Sequence, residues 1–270
     1  MKCYFSRMRP RPRAVPSALL FALALVCAGA LGAGAPAAAK KPKPAIGAAP
    51  RVVAARKEHD AGVRAAFAAA GVPYPAPALF IRVFKKDAVL ELWGGKRGAP
   101  LALVKAYDVC AASGELGPKR REGDFQVPEG FYRITHLNPY SDYHLAMGID
   151  YPNAADRIVG YKPSLGGAIL IHGSCVTVGC IPITDEPIEE VFLAVLDART
   201  AGLATVPVHI FPTRMDDAGM TFLKVHAGLD ATLRAFWDEL KPAYDAFEKS
   251  HLVPRVTVEK SGRYVVHPLP

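Results

Sequence analysis

Apolar residues recur in two rhythms along this chain. Between residues 51 and 70, Val52, Ala55, Val63, Ala66, Phe67 and Ala70 fall at spacings of three, four, seven and eight. Gly71 and Pro73 follow as a stop, so the spacing predicts an amphipathic helix. From residue 79 the rhythm shortens. The runs 79–84, 89–93 and 101–109 are short and rich in strand-forming residues. They are separated by Lys85-Lys86-Asp87 and by Gly94-Gly95-Lys96-Arg97-Gly98, and read as antiparallel strands joined by hairpins. Pro128-Glu129-Gly130 is a turn signal before a fourth strand over 131–135, residues 168–171 form an apolar run ending at His172, and 206–211 is a further strand. Thr184 stands where it can cap a helix over 185–200. Asp185 and Glu186 suit the positive end of its dipole, Ile188, Val191, Phe192, Val195 and Leu196 share one face, and Gly202 ends it. From 221 to 251 the period is helical again, with Phe222, Leu229, Leu233, Phe236, Trp237 and Leu240 apolar and Pro242 expected to bend or divide it. Residues 255–266 (RVTVEKSGRYVV) read as a closing hairpin turning at Ser261-Gly262. The pattern as a whole gives a β-rich core with a helix packed on it.

The N-terminus changes how the charge is read. Lys2, Arg7, Arg9, Arg11 and Arg13 precede an uncharged run over 14–39, with small residues such as Ala37 and Ala39 before Lys40, the layout of a secretory signal. A retained anchor is the alternative, but the apolar heart of the run, 19–31, is shorter than the roughly 20 residues a spanning helix needs. Removing 1–39 leaves 28 basic against 25 acidic residues, so the formal charge of +8 falls to about +3. That balance, without a basic block interleaved with aromatics, excludes the electrostatic footprint of a nucleic-acid binder. Residues 40–50 (KKPKPAIGAAP) read as a linker of partly polyproline character, and nothing after the signal is long enough to cross a membrane. The organisation is therefore signal 1–39, linker 40–50, helix 51–77, a β-rich domain 78–212 and a helical extension with terminal hairpin 213–270.

Five cysteines are present, two of them, Cys3 and Cys27, in the presumed signal. Cys110, Cys175 and Cys180 remain, and an odd number in an oxidising compartment means one disulfide with a free thiol, or an intermolecular link. The densest chemical signal is residues 167–183, GAILIHGSCVTVGCIPI. An apolar strand delivers His172, a Gly-Ser turn follows, and Cys180 sits behind Gly179 eight residues after the histidine. A thiol becomes a useful nucleophile when an imidazole within hydrogen-bond reach takes its proton. Gly179 leaves backbone amides uncovered, so the N–H groups of Gly179 and Cys180 are the expected donors to an oxyanion. A His beside a Cys is more often packing than catalysis. Zinc is a further alternative, since His172, Cys175 and Cys180 are ligand types, but no Cys-x-x-Cys pair or clear fourth ligand accompanies them and no metal is assigned.

The segment from His172 through Gly173 and Thr177 to Gly179-Cys180 resembles the active-site signature of the L,D-transpeptidase (YkuD-type) family, a His-Gly turn ahead of a Ser/Thr-x-Gly-Cys motif. It is most similar to the short-spaced YafK-like branch, in which a second cysteine lies between the two. Ser113-Gly114-Glu115-Leu116-Gly117-Pro118-Lys119, Glu122-Gly123-Asp124, Pro128-Glu129-Gly130-Phe131-Tyr132, Leu137-Asn138-Pro139 and Tyr143-His144-Leu145 match that branch in type and order. Similarity covers about residues 79–211. Two positions depart from the common pattern: Val178 stands where many members carry a second His, and Pro182 where many carry Arg.

The resemblance implies a mainly β or α+β fold, a β-sandwich or flattened barrel with N- and C-terminal helical additions. It implies that Cys180 is the nucleophile and His172 its general base, with oxyanion donors from Gly179 and Cys180 and support from Gly173 and Thr177. His144 is a candidate second imidazole, with a structural role in its loop the stronger reading. Keeping Cys180 free pairs Cys110 with Cys175. The implied partners are peptidoglycan stem peptides and an amine acceptor, without a cofactor, in the periplasm or another exported, wall-associated location. A hydrolase using the same machinery on cross-links or wall-protein linkages, and a non-catalytic wall-binding module, are the alternatives.

Overall fold

The computed structural model describes residues 45–267. The presumed signal and the first residues of the linker lie outside them. Residues 46–48 form a 3-10 turn and Ala49 is fully buried, so the last part of the expected linker is folded against the domain. The first helix, α1 (Pro50–Ala69), starts on Pro50, whose fixed φ and missing N–H suit a first helical position.

Strands β1 (Ala78–Phe84), β2 (Val89–Gly95) and β3 (Ala102–Asp108) form the expected antiparallel meander. Next, β4 (Gly130–Ser141) runs well past the predicted 131–135 and turns directly into β5 (His144–Ile149). Its polar-rich sequence hid this, because alternate positions face solvent. Then come α2 (Ala154–Val159), capped by Asn153 in a reciprocal box with Asp156, and the short strands β6 (Leu170–His172) and β7 (Ile181–Pro182). Helix α3 (Asp185–Thr200) has the predicted bounds, but Thr184 does not cap it: its φ is +66° and its side chain makes no capping bond. After β8 (Pro207–Phe211) the tail forms α4 (Asp217–Ala227), α5 (Ala231–Ser250) and the hairpin β9 (Val256–Val258) with β10 (Tyr264–Val266).

The helical tail divides at Gly228, not at Pro242. Gly228 ends α4 at φ +54°, and Asp230 starts α5 by accepting from the Leu233 N–H at 2.9 Å. Pro242 sits inside α5 on its exposed side, where water can serve the carbonyl its ring leaves unpaired. Leu229, expected on the apolar face, lies in this break and is 99% exposed.

The eight main strands are ordered β3-β2-β1-β8-β4-β5-β6-β7, a mixed α+β arrangement in which β1–β8 and β6–β7 are parallel pairs. The start of β4 pairs with β8 and the rest with β5, so this strand carries the chain from one half of the sheet to the other. Both faces of the central strands are covered, which is why β1 reads as nearly continuous apolar sequence. Ile81, Val83, Leu90, Leu92, Val208 and Ile210 form one core with α1 and α3. Phe84 and Phe211 pack on Trp237, Leu240 and Tyr244 of α5, while Phe80 and Trp93 pack on Phe247. Each such side chain removed from water stabilises the fold by about 1.5–3 kcal/mol. The α5 face also buries polar groups: Arg82 is 2% exposed, bonded to Glu91 by Nε and Nη2 and to Glu248 by Nη1. Among the described residues no helix is long and apolar enough to cross a membrane.

Candidate active site

The short parallel pair β6–β7 brings the two ends of the histidine-cysteine segment together. Ile171 pairs with Ile181 and His172 with Pro182, so Cys180, one residue before β7, lies beside Leu170. Leu170 and His172 are two residues apart on one strand and project to the same face. With strands about 4.8 Å apart and a rise of about 3.3 Å per residue, Cys180 and His172 are diagonal neighbours with Cα atoms about 8 Å apart. The geometry places them in one site without a hydrogen bond between them. Instead the Cys180 thiol donates to the Ala168 carbonyl at 3.7 Å.

The imidazole is fixed on two sides. His172 is 1% exposed, and its Nδ1 lies 2.5 Å from the Gly173 carbonyl, an acceptor, so Nδ1 carries the proton and Nε2 keeps its lone pair. The ring of Tyr143 lies against it with centroids 4.7 Å apart. Burial lowers the His172 pKa, opposed by the Gly173 carbonyl. Burial also raises that of Cys180, opposed by the Leu170 N–H and by the Lys119 ammonium. Both shifts favour a resting pair of neutral thiol and neutral imidazole. Proton transfer then belongs to the reaction step and not to the resting site.

The turn between them is braced from several directions. Gly173 is required by space: a Cβ there would stand 2.6 Å from Asp185 Oδ1 and 2.9 Å from His144 Cβ. Asp185 accepts from the Ser174 N–H at 2.6 Å, tying the turn to the start of α3. Thr177 Oγ1 donates to the Cys180 carbonyl at 2.8 Å. Cys110 and Cys175 are joined as a disulfide with Cα atoms 5.7 Å apart, which removes Cys175 from any zinc set and leaves Cys180 as the free thiol of the described residues.

Gly179 departs from expectation. At φ +106° its N–H is directed to Ser113 Oγ at 2.7 Å, so it does not face the thiol as an open oxyanion donor. A side chain there would meet the Gln126 carbonyl at 2.9 Å, so the position needs glycine for backbone approach. His144 does not meet the thiol either. Its Nε2 lies 2.6 Å from Glu189 Oε1, and His59 binds the other carboxylate oxygen at 2.9 Å, so the loop histidine links β5 to α1 and α3.

A cavity of about 150 Å³ adjoins Cys180, walled by Val83, Val109, Leu116, Val127 and Ile181, with Ser113 and Lys85 at its polar side. Sequence reasoning did not single out Ser113, Tyr143 or Lys119 as site residues. All three lie in stretches whose motif order was noted, but a Ser-Gly turn does not announce what its hydroxyl will bind.

A strand that delivers a buried histidine beside a free cysteine at the mouth of the adjoining strand, in a glycine-shaped turn, is an arrangement suited to thiol chemistry. The family described as the L,D-transpeptidase catalytic domain (YkuD) matches residues 80–210. A protein of Escherichia coli (strain K12) described as "Putative L,D-transpeptidase YafK" is 42% identical over 190 residues, covering 70% of this chain and 73% of the relative, and the same protein of strain O157:H7 matches equally. The chain belongs to the L,D-transpeptidase family. Solved structures that resemble it at low identity include the helical cell shape determining protein Pgp2 of Campylobacter jejuni, at TM-score 0.42 and 18% identity, covering 68% of this chain and 73% of that one. L,D-transpeptidase 1 of Mycobacterium tuberculosis is more distant, at TM-score 0.29 and 13% identity over 49% and 61% of the two chains.

Proposed function

We propose that this protein is a peptidoglycan L,D-transpeptidase in which Cys180 is the nucleophile and His172 the base. The observation that carries the reading is the placement of a free, half-buried thiol diagonal to an imidazole whose Nδ1–H is already donated, leaving Nε2 as the only ring acceptor. Rotation of the thiol away from Ala168 O brings it toward Nε2. His172 takes the proton as sulfur attacks the carbonyl after the L-centre of diaminopimelate in a tetrapeptide stem. The tetrahedral oxyanion is met by the Cys180 N–H. His172 then returns the proton to the departing nitrogen, D-alanine leaves, and the stem is held as a thioester. An incoming amine, deprotonated by His172, attacks that thioester and releases the thiol. The chemistry uses no cofactor, and the substrate places the protein outside the cytoplasm, with residues 1–39 removed as a signal and the domain of residues 78–212 carrying the reaction.

The test is incubation of the mature protein with defined muropeptides, with products read by mass spectrometry. Cys180→Ser should lose nearly all turnover while remaining folded, and His172→Ala should lower the rate roughly 10²- to 10⁴-fold, the range for a positioned base. A Cys180 thioester with the stem, or an adduct with a carbapenem, should be trapped. Wild-type turnover in Cys180→Ser would overturn the mechanism. Products consisting only of cleaved stems or released wall protein would replace transfer by hydrolysis on the same thioester.

A further inference from the structure

The amide that holds the nucleophile turn is anchored to the C-terminal helix through a chain of polar groups whose inner members, the side chains of Lys85, Glu129 and Trp237, are buried. Ser113 Oγ accepts from the Gly179 N–H at 2.7 Å and donates to the Phe125 carbonyl at 2.8 Å. Its loop is held from below by Lys85, whose ammonium donates to the carbonyls of Glu115, Gly117 and Val127, each at 3.0 Å. Lys85 is in turn paired with Glu129 at 2.9 Å, and the same Glu129 oxygen accepts from the Gly117 N–H at 2.7 Å. Glu129 is completely buried, and its second oxygen accepts from Trp237 Nε1 of α5 at 2.8 Å. A carboxylate buried in this way is tolerated because both its oxygens are engaged by donors and a cation. Trp237 lies beyond residues 80–210, the stretch that matches the family.

We propose that Ser113, held through the buried Lys85–Glu129 pair by Trp237 of the C-terminal helix, is a positioning residue that fixes the Gly179–Cys180 peptide so that the Cys180 N–H is aimed at the oxyanion. The hydroxyl fixes the Gly179 N–H, the residue's φ of +106° is maintained, and the orientation of the next peptide, which carries the Cys180 N–H, follows. The C-terminal extension therefore acts on the reaction through the loop of residues 113–117 without touching the substrate. Networks of this kind are stiff when every member is satisfied and loosen when one donor is removed. The inference rests on the reaction proposed above for its catalytic consequence, but not for its structural half.

The experiment compares full mature protein carrying Ser113→Ala, Ser113→Thr, Trp237→Phe and the double change Ser113→Ala/Trp237→Phe. Three quantities are read: hydrogen exchange in the peptide containing Gly179 and Cys180, acylation by a tetrapeptide muropeptide, and labelling of Cys180 by iodoacetamide. Trp237→Phe keeps an aromatic side chain, smaller than the indole, and loses the donor, and Ser113 lies in a loop outside the core; urea unfolding of each variant verifies that it is folded before the three readouts are compared. Exchange at Gly179–Cys180 should quicken in Ser113→Ala and in Trp237→Phe. Acylation should fall roughly 10- to 100-fold in Ser113→Ala, as for small misplacements at a reacting centre, and by less in Trp237→Phe. Labelling should stay within about twofold of wild type in both, because alkylation forms no oxyanion. Ser113→Thr, which keeps the hydroxyl, should restore acylation, and the double variant should be no slower than Ser113→Ala alone. Unchanged exchange in Trp237→Phe, or labelling that falls in parallel with acylation, would refute the proposal. Exchange that quickens as expected in a protein that no muropeptide acylates would leave the anchoring standing and sink the proposed reaction instead.

Discussion

His209 makes the stability of this domain depend on pH in a way that can be worked out in advance. It lies on β8, paired with Phe131 on one side and Arg82 on the other, and is 4% exposed. Its ring meets those of Phe80 and Phe131 edge-on at 4.6 and 4.7 Å, and Nδ1 has no hydrogen-bond partner among the described residues. Burial, with a smaller contribution from the Arg82 guanidinium, pushes its pKa from 6.5 down to about 3. An unfolded chain accepts the proton as pH falls below about 6.5, whereas the folded one does not until about 3. The stability is therefore complete above 6.5 and is lost as pH drops, by about 1.4 kcal/mol per unit and about 2 kcal/mol in all by pH 5. Asp156 works in the opposite direction. Burial raises it from 3.8 to about 6, so the folded state takes up a proton first and gains about 1.4 kcal/mol between pH 6 and 5. The gain at Asp156 offsets only part of the loss at His209 in the wild type, and replacing His209 removes that loss. Urea unfolding of wild type and His209→Phe at pH 7 and pH 5 should give a difference in stability that grows by about 2 kcal/mol in the variant's favour at the lower pH. Any packing change from the larger ring is independent of pH and cancels. If the two proteins showed the same pH dependence, the histidine would not be held neutral and its buried environment would be misread.

The disulfide closes a sequence separation of 65 residues, for which the chain-entropy relation gives about 4 kcal/mol, so Cys175→Ser should lower unfolding stability by up to that amount. An unreduced peptide map yielding Cys175 linked to Cys180, or no loss of stability in the variant, would count against it. Lys119 is 5% exposed, paired with Asp124 at 2.5 Å, and is the cation that draws the Cys180 pKa down against burial. Lys119→Gln should shift iodoacetamide labelling of Cys180 to higher pH, because the thiolate loses that stabilisation; an unmoved pH profile would show that the ammonium is not felt at the sulfur.

Much of the fold was legible because its apolar periods were clean. The bounds of α3 and the three-strand meander follow from spacing alone, and the family's motif order marked the stretch that carries the site. What escaped reading escaped for physical reasons. β5 begins at His144 with φ +67° and is buried at every position from Leu145 to Ile149, so no alternation of apolar and polar residues announced it. β7 has two residues, one of them Pro182, and exists only because β6 lies beside it. Thr184 has the chemistry of a helix cap but is in a conformation that points its hydroxyl elsewhere. For the site, sequence brought His172 and Cys180 into one segment. Their diagonal placement, the engagement of the Gly179 amide by Ser113, and the departure of His144 toward Glu189 are products of tertiary packing that residue types do not encode.

The position of β8 in the sheet sets an order of assembly. It is the last of the eight main strands in the chain and yet lies between β1 and β4, with Ile81 pairing to Val208 across 127 positions. Until residue 211 has been made, the molecule can hold only two separate half-sheets, β1–β3 and β4–β7, each with a bare inner edge open to wrong partners. Val83 and Lys85 belong to the first half, Cys180 and Ile181 to the second, and together they wall the cavity beside the thiol. A nascent chain cut short of β8 would carry both halves of the site and no means of joining them, so the sulfur meets its surroundings only as the final strand closes the seam.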